Sequence, residues 1–89
     1  MNKTIITVVG KDSIGIIAKV CTYLSEEKVN VLDISQTIVD GFFNMIMIVD
    51  VPSDVDFGKV NTELQNLGEG LGVIIKMQRE DIFNKMHRI

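Results

Sequence analysis

The sequence predicts an α+β fold in which four strands form one antiparallel sheet and two helices cover one face of it. Apolar residues recur with helical spacing in two segments, whereas four shorter segments are β-branched or alternate between apolar and polar residues. Along the 89 residues the order of these segments is β-α-β-β-α-β. A chain of this length has room for one modest core, so residues 1–89 are predicted to form a single domain.

A strand, a helix and a second strand are predicted in the first half of the chain. Residues 4–9 form a short β-branched run bounded by Gly10, which predicts strand one. Helix one is predicted from about Ile14 to Glu27. The apolar residues that share one face of this helix are Ile17, Val20, Cys21 and Leu24. Strand two is predicted at residues 30–39, where apolar and polar side chains alternate as in a strand with one buried face.

A tight hairpin is predicted next. Asp40 and Gly41 form the strongest turn signal in the sequence, because a type I′ turn requires positive φ at both central residues. Residues 42–51 return as strand three, which is apolar on both faces and is therefore predicted to be central in the sheet. Pro52 ends this strand because proline has no amide donor for the ladder.

Helix two is predicted from a second set of apolar residues at helical spacing. These residues are Phe57, Val60, Leu64 and Leu67. Ser53 and Asp54 offer N-caps before them, and Gly68 and Gly70 are expected to end the helix.

Strand four is predicted at residues 73–78, followed by a tail helix at about residues 81–88. The tail helix is expected to cover part of the sheet or part of a partner. Its apolar residues are Ile82, Phe83, Met86 and Ile89. Right-handed crossovers together with the tight hairpin give a ferredoxin-like sandwich with the spatial strand order 4-1-3-2. Strand two then lies at an edge of the sheet.

Charge and composition narrow the classes of function. The formal net charge is −3 and the Lys and Arg residues form no basic run, which disfavours binding to nucleic acid or to a membrane surface. No apolar run reaches the roughly 18–20 residues of a membrane-spanning helix. With no signal-peptide pattern, the protein is expected to be cytoplasmic, with Cys21 as a buried, reduced thiol. An apolar fraction of 46% favours an oligomer.

The sequence lacks the residue combinations that catalysis or metal binding requires. His87 is the single histidine, and Cys21 has no second cysteine to pair with, which argues against a zinc or nucleophile site. Asp54 and Asp56 stand at a helix start and are interpreted as capping residues rather than as a catalytic pair. We therefore expect no enzymatic activity, no cofactor and no metal.

RNA binding is a possibility raised by the element order, which RRM domains share. Those domains stack bases on aromatic residues of the sheet and have basic flanks. Strand three begins with Phe42 and Phe43, but strand one has no aromatic residue and the net charge has the wrong sign. RNA binding is therefore disfavoured.

The junction between strand one and helix one, residues 10–15, is the best candidate for a small-molecule site. A helix N-terminus presents unpaired amide groups and favours negative charge. Gly10 and Gly15 have the spacing of P-loop glycines, but Ile16 and Ile17 follow where Lys and Ser or Thr are required. The Rossmann glycine pattern is absent as well.

A purely structural interpretation of the junction stays open. In it, Gly10 ends the strand, Asp12 or Ser13 caps the helix, and Gly15 lets the helix pack close to the sheet.

The chain resembles the ACT domain over essentially its whole length. Residues 10–18, Gly-Lys-Asp-Ser-Ile-Gly-Ile-Ile-Ala, match the family pattern G-x-D-x-x-G-I. Residues 29–34, Val-Asn-Val-Leu-Asp-Ile, match the opening of strand two in that family. The closing segment, with residues 81–83, resembles the small stand-alone ACT proteins of bacteria. A group related to them contains the transcriptional repressor of the glycine cleavage system.

The resemblance implies a non-enzymatic regulatory module that binds a small metabolite, an amino acid by family precedent, and signals to a partner protein. ACT domains commonly pair through strand two and helix one, which agrees with the edge position predicted for strand two. The ligand then lies between the strand-one/helix-one loop of one subunit and strand two of its neighbour. The implied site residues are Gly10, Lys11, Asp12, Ser13, Ile14 and Gly15 on one side and Asn30, Val31, Leu32 and Asp33 on the other.

Each half of this implied site has a chemical role. Amide groups near residues 14–16 are expected to hold an α-carboxylate, Asp12 to receive an α-ammonium group, and Asn30 to orient the ligand. Lys28 departs from the family, which often has Gly there, and either strains the turn by about 1 kcal/mol or changes its shape. The alternative function is a structural or adaptor dimer without a ligand.

Overall fold

The computed structural model describes residues 3–11 and 15–79. Within them, four antiparallel strands lie in the order β2-β3-β1-β4, together with two helices. The elements are β1 (Lys3–Gly10), α1 (Ile16–Glu26), β2 (Asn30–Val39), β3 (Phe42–Asp50), α2 (Phe57–Leu71) and β4 (Val73–Arg79). The ferredoxin-like fold, the strand order and the edge position of β2 are confirmed. The predicted tail helix at about residues 81–88 lies outside the described residues.

The β2–β3 hairpin turns at Asp40 and Gly41, as predicted. Their φ angles are 56° and 81°, the two positive values that a type I′ turn needs. The turn places Val39 opposite Phe42 and fixes the register of the hairpin. β3 and β1 are the central strands, and β4 forms the second edge.

The core lies between the helices and one face of the sheet. Alternate residues of β1 and β3 point into it, and they meet one apolar stripe from each helix. The apolar side chains with the least exposure are Ile6, Val8, Val20, Leu24, Met45, Met47, Val49, Val60 and Leu64. Tyr23 joins the helices, because its hydroxyl donates a hydrogen bond of 2.7 Å to Glu63 Oε1.

Helix α2 agrees with one of the predicted caps at its start and differs from the prediction at its end. Asp56 is its N-cap, with a side chain that accepts a hydrogen bond from the Lys59 amide at 3.2 Å, which confirms Asp56 as a capping residue, whereas the expectation of a cap at Ser53 or Asp54 was wrong. Gly68 and Gly70 do not end α2, which continues to Leu71.

Gly72 is the residue that ends α2, at φ 75°. The buried Gly68 serves close packing instead. A Cβ at this position would lie 2.8 Å from the Val73 carbonyl oxygen, so a methyl group has no room between helix and sheet.

Helix α1 buries a stripe that is rotated from the predicted one. Ile16, Val20 and Leu24 are the buried residues of the helix. Ile17 and Cys21 are half-buried on its flank, so the expectation of a fully buried thiol was wrong. The four-residue spacing of Ile16, Val20 and Leu24 fits the core face better than the predicted set does.

Strand β2 has no buried face, contrary to the prediction. Of its ten residues, Val31 is half-buried and the others are exposed. Leu32, Ile34 and Ile38 are 42%, 38% and 70% exposed. The alternation of apolar and polar residues is present, but none of the described residues buries the apolar side of this edge strand.

Candidate functional site

The first half of the candidate site is the junction that follows β1. Gly10 pairs with Phe43 on one side and Val73 on the other. A Cβ at Gly10 would overlap the side chain of Val73, so the close approach of β4 requires glycine here. Asp12, Ser13 and Ile14 lie outside the described residues.

Helix α1 begins at Gly15, which is itself the N-cap in a left-handed conformation with φ 76°. The expectation that Gly15 lets the helix pack close to the sheet was wrong, because a Cβ on Gly15 would meet nothing within 4 Å. The two residues expected as caps, Asp12 and Ser13, lie outside the described residues. The backbone conformation explains the glycine, because side chains rarely adopt this φ.

Among the residues that the structure describes, no side chain caps the first backbone donors of α1. The first intrahelical bond runs from the Lys19 amide to the Gly15 carbonyl at 3.0 Å, and the amides of residues 16–18 precede it. Gly15 has no side chain to accept from them, and the first turn carries no acidic residue. The positive end of the helix dipole is thus uncompensated by the helix itself, which suits an anionic group.

Lys11 belongs to this junction, and its side chain lies near the β2–β3 hairpin. Its Nζ is 5.8 Å from the centroid of the Phe42 ring, within range of a cation–π interaction. Phe42 is 44% exposed and pairs with Val39 at the end of β2. A cation therefore lies at the same end of the sheet as the open helix start.

The second half of the candidate site is the beginning of β2. Asn30 is exposed and pairs with Asp50. The ladder shifts register between Val31 and Asp33, so Leu32 is the extra residue of a β-bulge. The Asp33 carboxylate accepts a hydrogen bond of 2.9 Å from the Ile34 amide, which fixes its side chain against its own strand.

An open cleft of about 380 Å³ adjoins this half. It is lined by Cys21, Ser25, Lys28, Val29, Asn30 and Val31. Two of these were implied from the sequence, whereas the α1 residues were missed. Cys21, Ser25 and Lys28 recur at four- and three-residue steps, a spacing that could have placed them on one helical side.

Lys28 enters the cleft from a strained position. Its φ is 64°, so the first of the two expected outcomes, strain in the turn, is observed. Its amide donates to the Ser25 carbonyl at 3.1 Å, and the Val29 amide donates to the Leu24 carbonyl at 2.9 Å. These two bonds form a Schellman motif, in which glycine usually occupies the position of Lys28.

Within one chain, the two halves of the candidate site lie at opposite ends of the sheet. Gly10 pairs with Phe43, which pairs with Ile38, whereas Asn30 pairs with Asp50, which pairs with Lys3. The length of β1 therefore separates them, about 23 Å at the usual rise per residue. One protomer does not bring its own junction and its own cleft together.

Within residues 3–11 and 15–79, no group of three or more His, Cys, Asp or Glu side chains is placed to hold a metal ion. In the same ranges neither helix has the length and apolar character to cross a bilayer.

Comparison with known proteins identifies relatives of the whole chain. Residues 2–78 match the ACT domain family. A UPF0237 protein of Bifidobacterium longum is 66% identical over 90 residues, which cover 100% of both chains. The fold is similar to that of an ACT domain protein from Streptococcus pneumoniae, with 41% identity, a TM-score of 0.83, and coverage of 92% of this chain and 93% of that one.

A second solved structure, of a putative glycine cleavage system transcriptional repressor, is 28% identical with a TM-score of 0.74. It matches 88% of this chain but 45% of that chain, so the likeness concerns part of a longer protein.

Proposed function

Since this chain belongs to the ACT domain family, whose members are regulatory ligand-binding modules that commonly dimerise, we propose that it is a non-enzymatic metabolite sensor. It binds a small metabolite with an α-carboxylate, an amino acid in the first instance, between two copies of the chain. Binding is then signalled to a partner protein. The observation that supports this proposal is the start of α1, where the N-cap Gly15 has no side chain to accept from the first amides, so that these amides can be offered to an anion.

The dimer contact is formed by the edge strand β2 and the flank of α1. β2 exposes Leu32, Ile34 and Ile38 at the edge of the sheet, and α1, which contacts β2, has Ile17 and Cys21 half-buried. An apolar edge strand with unpaired backbone groups favours pairing with a second strand. Pairing with a copy of itself satisfies both the backbone and the apolar surface.

A two-fold arrangement also assembles the site. When two β2 strands pair antiparallel, the Asn30 end of one lies beside the Val39 end of the other. The Val39 end is the end at which Gly10, Lys11 and Gly15 of the same chain lie. Each dimer thus contains two sites, and in each of them the junction of one chain faces the cleft of the other.

The chemistry of the assembled site suits an amino acid. The amides of residues 16–18 receive the α-carboxylate. The role proposed for Asp12, which lies outside the described residues, rests on the sequence alone: its carboxylate pairs with the ammonium group. From the other chain, Asn30 supplies a donor and an acceptor, and Lys28 supplies a cation beside the cleft.

A thermal-shift screen against the amino acids tests ligand binding. A ligand present at 100 times its Kd adds about 2.7 kcal/mol to the free energy of unfolding, which raises the Tm by several degrees in a domain of this size. We expect one amino acid or a small group of related ones to do so. If none shifts the Tm while the protein is dimeric, the adaptor alternative replaces the sensor.

Two substitutions at one position separate charge from shape. Gly15→Asp and Gly15→Asn introduce side chains of nearly the same size. Both residues tolerate the left-handed conformation better than other side chains do. The aspartate repels a carboxylate and neutralises the helix dipole, so it should abolish the shift, whereas the asparagine should keep part of it. Equal losses in the two variants would contradict anion binding at this helix start.

The dimer interface has its own test. Ile34→Lys places a charge on β2, and Ile74→Lys places the same charge on β4, where the native side chain is 63% exposed. Sedimentation should find a monomer for Ile34→Lys and a dimer for Ile74→Lys. The reverse outcome, or two dimers, would remove β2 from the interface.

A further inference from the structure

The charge of the cleft at the start of β2 comes from one side chain. Of the described residues that line its volume of about 380 Å³, Lys28 is charged, Ser25 and Asn30 are neutral and polar, and the others are valines and a cysteine. Asp33 follows on β2 just past the bulge, but its carboxylate accepts the 2.9 Å bond from the Ile34 amide of its own strand. The described walls therefore present a positive charge and no carboxylate to a ligand in the cleft.

The ammonium group of Lys28 is available to an anion. Within residues 3–11 and 15–79, Lys28 forms no ion pair. Lys28 also borders a second hollow, whose carboxylates are those of Glu26, Glu27, Asp54 and Asp56. Glu27 pairs with Lys59 instead, at 3.3 Å between Oε1 and Nζ. A carboxylate of a ligand that enters the cleft can therefore pair with Lys28.

The backbone fixes the position of Lys28 in a strained conformation. Its φ of 64° is one that glycine adopts without strain and that side chains rarely adopt. Its amide is held by the Ser25 carbonyl at 3.1 Å, between the end of α1 and the start of β2. A side chain held in a strained conformation at the wall of a cleft points to a function for that side chain.

We propose that the metabolite is an amino acid with a carboxylate in its side chain, and that this carboxylate binds the ammonium group of Lys28. The inference rests on the proposed function, because it uses the shared site in which the amides of residues 16–18 of one chain hold the α-carboxylate. The side chain of the ligand then extends into the cleft of the other chain. There Ser25 and Asn30 offer hydrogen bonds beside the cation.

Titration calorimetry with two pairs of ligands tests this assignment. Glutamate is compared with glutamine, and aspartate with asparagine, because the members of each pair differ in charge and hardly in size. The acid that fits the cleft better should bind the native protein at least about tenfold more tightly than its amide, as expected for a hydrogen bond between charged groups.

Two variants separate Lys28 from the overall charge of the protein. Lys28→Met removes the ammonium group and keeps an unbranched side chain, so the acid and its amide should bind this variant about equally well. The matched control is Lys76→Met, which removes the same charge from an exposed position of β4. It should keep the native ratio of acid to amide affinity.

The possible failures identify which claim is wrong. If an amide, or an amino acid with an uncharged side chain, binds as tightly as both acids, the acidic ligand is excluded and the metabolite sensor remains. An acid-to-amide ratio that is unchanged in Lys28→Met would also overturn the assignment, and would leave Lys28 a role at the negative end of the helix dipole. If no amino acid binds at all, the proposed function itself fails.

Discussion

The two helices of this protein end in opposite ways. α2 begins at Asp56, whose carboxylate caps the Lys59 amide, and it ends at Gly72 in the left-handed conformation. α1 begins after Gly15, for which no side-chain cap is found among the described residues, and the left-handed residue that follows its C-terminus is Lys28, at φ 64°. The helices therefore differ in two ways: α2 has a side-chain cap at its start, and the left-handed residue after α2 is glycine, whereas the one after α1 is lysine.

The difference between the helices coincides with the candidate site. Both differences involve residues proposed to bind the ligand: the amides after Gly15, and Lys28 beside the cleft. Departures from local stability rules are expected to concentrate at functional sites. The contrast with α2 in the same chain is therefore an argument for function at the ends of α1.

The largest expected difference between the two helices is the effect on stability of replacing a glycine by alanine. Gly15→Ala should lower the free energy of unfolding by about 1–2 kcal/mol, because alanine is strained at this positive φ. Gly70→Ala is the matched change in α2, where a Cβ meets nothing within 4 Å. It should raise the stability by about 0.5–1 kcal/mol in the same urea titration. The same sign for both would contradict the backbone role of Gly15.

The cap of α2 should contribute stability and nothing to binding. Asp56→Ala removes the acceptor of the Lys59 amide and should cost about 1 kcal/mol. Asp54→Ala, two residues earlier, should change the stability by less than about 0.5 kcal/mol. Chemical denaturation measures both, and a ligand-induced Tm shift that survives in Asp56→Ala would keep the two helix starts functionally distinct.

The left-handed residues that follow the two helices, Lys28 and Gly72, can be exchanged to compare their effects on stability and binding. Lys28→Gly should raise the free energy of unfolding by about 1 kcal/mol, because it relieves the left-handed strain. Gly72→Lys should lower it by a similar amount. Isothermal titration should find weaker ligand binding in Lys28→Gly despite its higher stability, and unchanged affinity would take Lys28 out of the site.

The smallest expected effect on stability concerns the hydrogen bond between Tyr23 of α1 and Glu63 of α2. Burial raises the pKa of the Tyr23 phenol, and the hydrogen bond to the Glu63 carboxylate raises it further. The folded pKa is above the unfolded one, so this contribution to stability is complete below the unfolded pKa of about 10 and is lost as the pH rises beyond it. Tyr23→Phe should cost about 0.5 kcal/mol at neutral pH, and the difference from the native protein should shrink above pH 10 when both are denatured in urea. A constant difference across this range would contradict the coupling.

The sequence predicted those features that depend on local chemistry. Hydrophobic periodicity located six elements, and the Asp40-Gly41 pair fixed the hairpin, because turn conformation follows from the residues themselves. The C-terminal end of α2 was predicted wrongly, since Gly68 is typical of a helix end and its packing against β4 depends on the tertiary structure. The buried face predicted for β2 was also wrong, because its apolar side chains are exposed and no described residue of the same chain buries them.

The candidate site was predictable only in part, for a related reason. The glycines and Asn30 are visible in the sequence pattern, whereas Cys21, Ser25 and Lys28 join the cleft through the position of α1 against β2. The separation of the two halves by the length of β1 follows from strand register, which a sequence pattern does not give.

Mixed dimers test the central claim that one site is built from two chains. Gly15→Asp damages the junction and Asn30→Ala damages the partner's half, so each homodimer should fail to bind the amino acid found in the thermal screen. When the two variants are refolded together in equal amounts, half of the dimers are mixed, and each mixed dimer regains one intact site. Titration calorimetry should then find about a quarter of the native number of sites, at native affinity. A mixture that binds no ligand would contradict a site shared between chains.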